Sequence, residues 1–150
     1  MELYEEAVMW YVVSGGQRFV CPQFSVLSDT GGEWSCPDFV ALDFQAKTVY
    51  VVEATTDSTG NDLVKKVRNR ESQWFSKLKA YLSMQDPSFG AWQYRAAVFV
   101  RSEIVESFDK KIGSPADVAV FPFETALFGW RWNWKNGRSN KLRILAARVF

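Results

Sequence analysis

The stretch SCPDFVALDFQAKTVYVVEATT, residues 35–56, decides how this chain is read. Pro37-Asp38 opens one β-rich run, PDFVALDF, and Gln45-Ala46-Lys47 separates it from a second, TVYVVEAT, which predicts an antiparallel hairpin. Side chains alternate along a strand, so the register of the pair decides which residues share a face. A turn centred near Gln45-Ala46 sets Asp38 opposite Glu53, with Val40, Leu42, Val49 and Val51 on the same face. Two opposed carboxylates at the open end of an apolar face repel each other, and as pure structure they destabilise the hairpin. A divalent cation between them reverses that sign. Mg²⁺ is held by one or two carboxylates together with substrate phosphate oxygens, an arrangement suited to hydrolysis of a phosphodiester.

Upstream of the hairpin, residues 2–13 read as a helix stopped by SGG at 14–16. QRFVCPQFSVL reads as a strand in which Pro22 marks an edge or a bulge, and SDTGGE, 28–33, is a loop by composition. Downstream, TDSTGND breaks the second strand and supplies N-cap candidates. Residues 62–84 carry a helical stripe of Val64, Val67, Trp74, Phe75, Leu78 and Leu82. DPSFG ends that helix; WQYRAAVFVR is a strand, SEIVESFDKKIG a short helix and DVAVFPF a further strand. The order predicts one domain over 1–150, an α/β (α+β) fold with a mixed central sheet flanked by helices. The tail reads as a hairpin-like extension turning at Asn136-Gly137. On it Trp130, Trp132 and Trp134 share one face, opposite Arg131, Asn133 and Lys135. Those tryptophans are expected to close a small core; stacking on bases and a dimer contact are the other readings.

Composition narrows the chemistry. The 150 residues contain no histidine, which excludes Ser-His-Asp and Cys-His catalysis and His-ligated zinc. Carboxylates, lysines and hard cations remain. Cys21 and Cys36 lack any metal-site spacing and are expected to be reduced. A net charge of +1 excludes a strongly basic coat for nucleic acid but leaves local patches open. No apolar run approaches the ~20 residues that cross a bilayer. The start, MELYEEAVMWYVV, is acidic ahead of its apolar stretch, so no secretory signal and no membrane association are expected, and the location expected is cytoplasmic.

With these elements in place, the chain resembles the PD-(D/E)xK nuclease superfamily. The nearest members are the restriction-endonuclease-like enzymes related to archaeal-type Holliday-junction resolvases. The resemblance runs over roughly residues 1–100 and rests on Pro37-Asp38, Glu53, an acid in the first helix (Glu5 or Glu6), the loop DTGGEW and Gln73 on the long helix. It implies a restriction-endonuclease-like αβββαβ core and a Mg²⁺ or Mn²⁺ ion held by Asp38, Glu53 and the carbonyl of Ala54. Glu6 is a further contact through water, DNA is the substrate, and a homodimer is the expected assembly. Plain structural roles stand beside these: Asp38 as a strand-entry residue, Glu5 and Glu6 as acids favouring a helix dipole, and Asp43 and Asp57 as turn residues.

Thr55 departs from the family pattern, which places a lysine there. Losing one preorganised donor of that kind costs ~3 to 4 kcal/mol of barrier. Lys66, Arg70, Gln73 and Lys77 recur at four, three and four residues, so a continuous α-helix presents them as one ridge able to reach the site or track a phosphate backbone. The resemblance favours Lys77 as the migrated lysine; simple helix-against-strand geometry favours Lys66. Lys77 is the first expectation and Lys66 the second. The competing readings are a catalytically degenerate fold that binds nucleic acid or protein, and a carbohydrate- or nucleotide-binding protein using the tryptophans.

Overall fold

A computed structural model describes residues 3–14, 18–25 and 36–126. The loop DTGGEW and the tryptophan tail lie outside the described residues. In chain order the elements are α1 (Leu3–Ser14), β1 (Arg18–Pro22), β2 (Phe39–Asp43), β3 (Thr48–Ala54), α2 (Asn61–Arg68), α3 (Ser76–Gln85), β4 (Gln93–Val100), α4 (Val105–Ile112) and β5 (Val118–Pro122). A π-helical turn, Glu71–Phe75, joins α2 to α3.

The strands form one mixed sheet in the order β1-β2-β3-β4-β5. β1, β2 and β3 run antiparallel in succession, and β4 and β5 then add parallel to β3. Helical crossovers make those parallel additions possible. The expected hairpin register is the observed one, with Val40 against Val51 and Leu42 against Val49. Four residues close the hairpin. Asp43 starts that turn by accepting the Ala46 N–H at 2.8 Å, and Lys47 takes a left-handed φ of 49°.

Alternation sorts the sheet into two apolar faces. Val40, Val49, Val51, Ala96, Val98 and Val100 point to the side covered by α2, the π-helical turn, α3 and α4. Phe39, Ala41, Tyr50, Val52, Ala97 and Phe99 point to the opposite side, against Val8, Tyr11 and Val12 of α1. Glu53 follows Val49 and Val51 and so falls on the first face, where the sheet runs out.

β1 is an edge strand, and it is shorter than its apolar run. Gln23 N–H donates to Asp38 O at 2.7 Å, in register with the β1–β2 ladder. By antiparallel alternation Cys21 and Phe19 also bond inward, so Pro22 and Val20 turn their backbone outward. Pro22 therefore removes a donor from the open edge, which blunts it against further strand pairing. The long helix likewise differs from the uninterrupted one predicted. Its π-helical turn sets the residues that follow back by roughly one residue's worth of rotation, so Lys66 and Lys77 do not stand on one straight ridge.

Candidate active site

Glu53 sits one residue from the end of β3 and is only 5% exposed, although it carries a carboxyl. Asp38 precedes β2 and is half-buried; its Oδ2 accepts the backbone N–H of Ala54 at 2.7 Å. That bond ties the Pro37-Asp38 entry to the end of β3 and brings the two acids to the same end of the sheet, as the register predicts.

Lys66 completes the group. Its Nζ lies 3.3 Å from Glu53 Oε1 and 3.1 Å from Oε2, so the ammonium spans the whole carboxylate. The loop leading into α2 sets this height. Asp57 Oδ2 accepts the Thr59 hydroxyl at 2.6 Å and the Gly60 N–H at 2.7 Å, which folds the chain tightly back onto the sheet. The first turns of α2 consequently pass the end of β3, and Lys66 is level with Glu53.

The remaining candidates separate. The side chain of Arg70 binds Asp117 through two 2.6 Å contacts, Nε to Oδ2 and Nη2 to Oδ1. Asp117 lies lower on the sheet, where its carbonyl accepts the N–H of Ala96. Gln73 is half-buried in the π-helical turn. Lys77 lies beyond Phe75, whose ring meets Tyr94 at 6.4 Å, and Tyr94 pairs with Val49. Val49 is four residues before Glu53 on β3, ~13 Å away along the strand. That drop exceeds what a lysine side chain spans, so the structure brings Lys66, not Lys77, to the acids. Simple helix-against-strand geometry favours Lys66, as observed; the preference for Lys77 came from the family resemblance, and that is the expectation the structure corrects.

The acid of α1 is also displaced by one residue. Val8, Tyr11 and Val12 face the sheet, and Glu5, three residues before Val8, falls on their side, whereas Glu6 is exposed. The charge of Glu5 reaches both Asp38 and Glu53. Apolar residues run unbroken from Ala7 to Val13, so periodicity did not separate Glu5 from Glu6; packing on the sheet did.

Thr55 has a local role in place of a catalytic one. Its backbone N–H extends the β3–β4 ladder by donating to Phe99 O at 2.9 Å, and its hydroxyl accepts the N–H of Asp57 at 3.1 Å. Threonine at this position starts the turn that delivers α2.

Electrostatically the site is frustrated. Burial pushes the Glu53 carboxyl up to about 7, and the charges of Asp38 and Glu5 add to that, while Lys66 opposes it. Burial also raises Asp38, against the pull of the Ala54 N–H. Among the described residues no cluster of three or more His, Cys, Asp or Glu side chains forms a ready-made metal cage. The donor set nevertheless fits a hard cation. It consists of oxygens alone, one buried and one half-buried carboxyl, and Mg²⁺ needs only one or two carboxylates from protein. Compared with protein family models, with curated proteins and with solved structures, the chain matches none.

Proposed function

We propose that this chain is a divalent-cation-dependent nuclease that hydrolyses phosphodiester bonds in DNA and acts in the cytoplasm. The observation that carries the reading is the meeting of Asp38, Glu53 and Lys66 at one end of the sheet, with Lys66 Nζ 3.1 Å from Glu53. Asp38, Glu53 and the carbonyl of Ala54 would hold Mg²⁺ or Mn²⁺, with Glu5 adding negative charge behind them. When bound, the cation supplies Lewis-acid stabilisation of phosphate charge and lowers the pKa of coordinated water.

The protein's own groups do the rest. The Ala54 N–H orients the Asp38 carboxylate by holding one oxygen. The apolar face below, built by Val51, Val98 and Val64, keeps water away from the buried side of Glu53 and strengthens every charge interaction there. Lys66 takes the part of the lysine that Thr55 replaces, offering a preorganised ammonium to charge developing on the phosphate. A homodimer would present two such sites to the two strands of a duplex.

The test is cleavage of duplex, junction, single-stranded and RNA substrates with Mg²⁺ or Mn²⁺. Wild type should cleave at least one DNA form. Asp38→Asn and Glu53→Gln should abolish cleavage, and Lys66→Ala should reduce it ~10² to 10³-fold. Lys77→Ala should leave it intact. Full activity in either acid variant overturns the reading. A second reading has its own observation: Thr55 carries no charge and is committed to a turn. A wild type that binds DNA but cleaves none of these substrates makes the chain a binding module on the same fold.

A further inference from the structure

We infer that Lys66 is a built-in counterion, which a divalent cation must displace from Glu53 and which that displacement frees for an anionic substrate. This inference rests on the nuclease reading of the same site. Lys66 contacts both oxygens of Glu53, at 3.3 and 3.1 Å, so no Glu53 oxygen is left without it. Its side chain is 40% exposed while that of Glu53 is 6% exposed, so the ammonium stands between the buried carboxylate and solvent. Asp38 differs, because the Ala54 N–H holds Oδ2 and leaves Oδ1 outside that bond.

Charge counting gives the same result. The carboxylates of Asp38 and Glu53 share the ammonium of Lys66. Ionised, the pair carries two negative charges, which a divalent cation matches without help from the ammonium. Lys66 alone cannot balance the group. Once a cation bonds to a Glu53 oxygen, the ammonium loses that contact and stands a few ångströms from a double positive charge. The two repel strongly in a partly buried setting. Lys66 then turns its donors toward solvent, the side from which a phosphate must come. Cation and polyanion binding become positively coupled, each favouring the arrangement the other needs.

Calorimetric titration with Ca²⁺ tests this without depending on cleavage. It is run at about pH 9, where the carboxyls are ionised, on wild type, Lys66→Met, Lys66→Gln and Glu53→Gln, with circular dichroism confirming that each is folded. Both Lys66 variants should bind Ca²⁺ about tenfold tighter than wild type, and Glu53→Gln should lose binding. In a second arm, Ca²⁺ should tighten binding of a short DNA duplex to wild type, and Lys66→Met should lose that enhancement. Equal or weaker Ca²⁺ binding by the folded Lys66 variants overturns the inference. Cation-dependent cleavage by wild type would then leave the nuclease reading standing, whereas absence of Ca²⁺ binding in every protein overturns both.

Discussion

Glu53 is the residue on which sequence and structure bear most directly. In the unfolded chain its carboxyl titrates near the ordinary value of 4.5, and in the folded protein burial moves it up to about 7. The folded state therefore holds a proton that the unfolded state has already released across this interval, and stability must fall as pH rises through it. Asp38, raised for the same main reason, acts in the same direction. Asp57, Asp86 and Asp117 are shifted downward and have released their protons below this window. Urea unfolding in chelator should show wild type less stable at pH 8 than at pH 5 by on the order of 2 to 3 kcal/mol. Glu53→Gln should flatten most of that dependence. Stability that rises over the same range would show that Glu53 is ionised at little cost. The acid pair itself was legible in the sequence, because parity places Asp38 and Glu53 on one face whatever packs above them. Its lysine was legible in part: helix-against-strand geometry favours Lys66, and only the family resemblance drew the first expectation to Lys77.

At the scale of the element, the segment from Gly60 to Gln85 does the positioning. Gly60 begins α2 in a left-handed conformation, φ 60°, and a Cβ there would meet Phe108 Cδ2 at 3.0 Å. Phe108 is a core residue of α4, 1% exposed, and its ring must give way for that Cβ to fit. Gly60→Ala should therefore cost about 1 to 3 kcal/mol, read as a lowered denaturation midpoint. Because α2 would also shift, the Lys66–Glu53 contact should loosen with it. A variant as stable as wild type would mean that the α2 entry is looser than this geometry. The stripe from Val64 to Leu82 was readable as helix, since Val67, Trp74, Phe75 and Leu78 are buried as the periodicity requires. The π-helical turn left no pattern in that stripe. The ridge of Lys66, Arg70, Gln73 and Lys77 therefore looked continuous, yet the structure divides it between Glu53, Asp117 and the lower half of the sheet.

Across the whole molecule, one buried ion pair links three elements at the end of the sheet away from Glu53. Arg18 Nε lies 3.2 Å from Asp43 Oδ2, with side chains 4% and 10% exposed, and Arg18 Nη1 donates to Val12 O at 3.0 Å. The guanidinium joins the end of α1 to the edge strand β1, while Asp43 also closes the β2–β3 turn. Asp43→Ala leaves a buried cation without its carboxylate and loses the turn contact, so it should destabilise by about 3 to 5 kcal/mol. Replacing both partners with apolar residues, Arg18→Met with Asp43→Leu, should recover much of that loss in chemical denaturation. A near-neutral Asp43→Ala would show the guanidinium to be solvated. Asp43 was read as a turn residue, and it is one; its ion pair lies 25 positions away in sequence and left no local signal.

What the sequence determined by itself is the order of elements, the hairpin register and the sharing of one face by Asp38 and Glu53. Each of these follows from local periodicity: alternation along strands, a stripe along a helix and turn residues between them. The mixed five-stranded sheet, with helices on both faces, follows from packing those apolar faces. Tertiary structure alone decided which acid of α1 approaches the pair and that Arg70 is engaged by Asp117, and it chose Lys66, favoured by geometry, over Lys77, favoured by the resemblance. Those outcomes depend on the height and rotation at which α1 and α2 sit on the sheet. The tight Asp57–Gly60 turn and a single π-helical turn set that relation for α2 and α3, and neither the depth of a loop nor a change of helical pitch is written in the spacing of apolar residues.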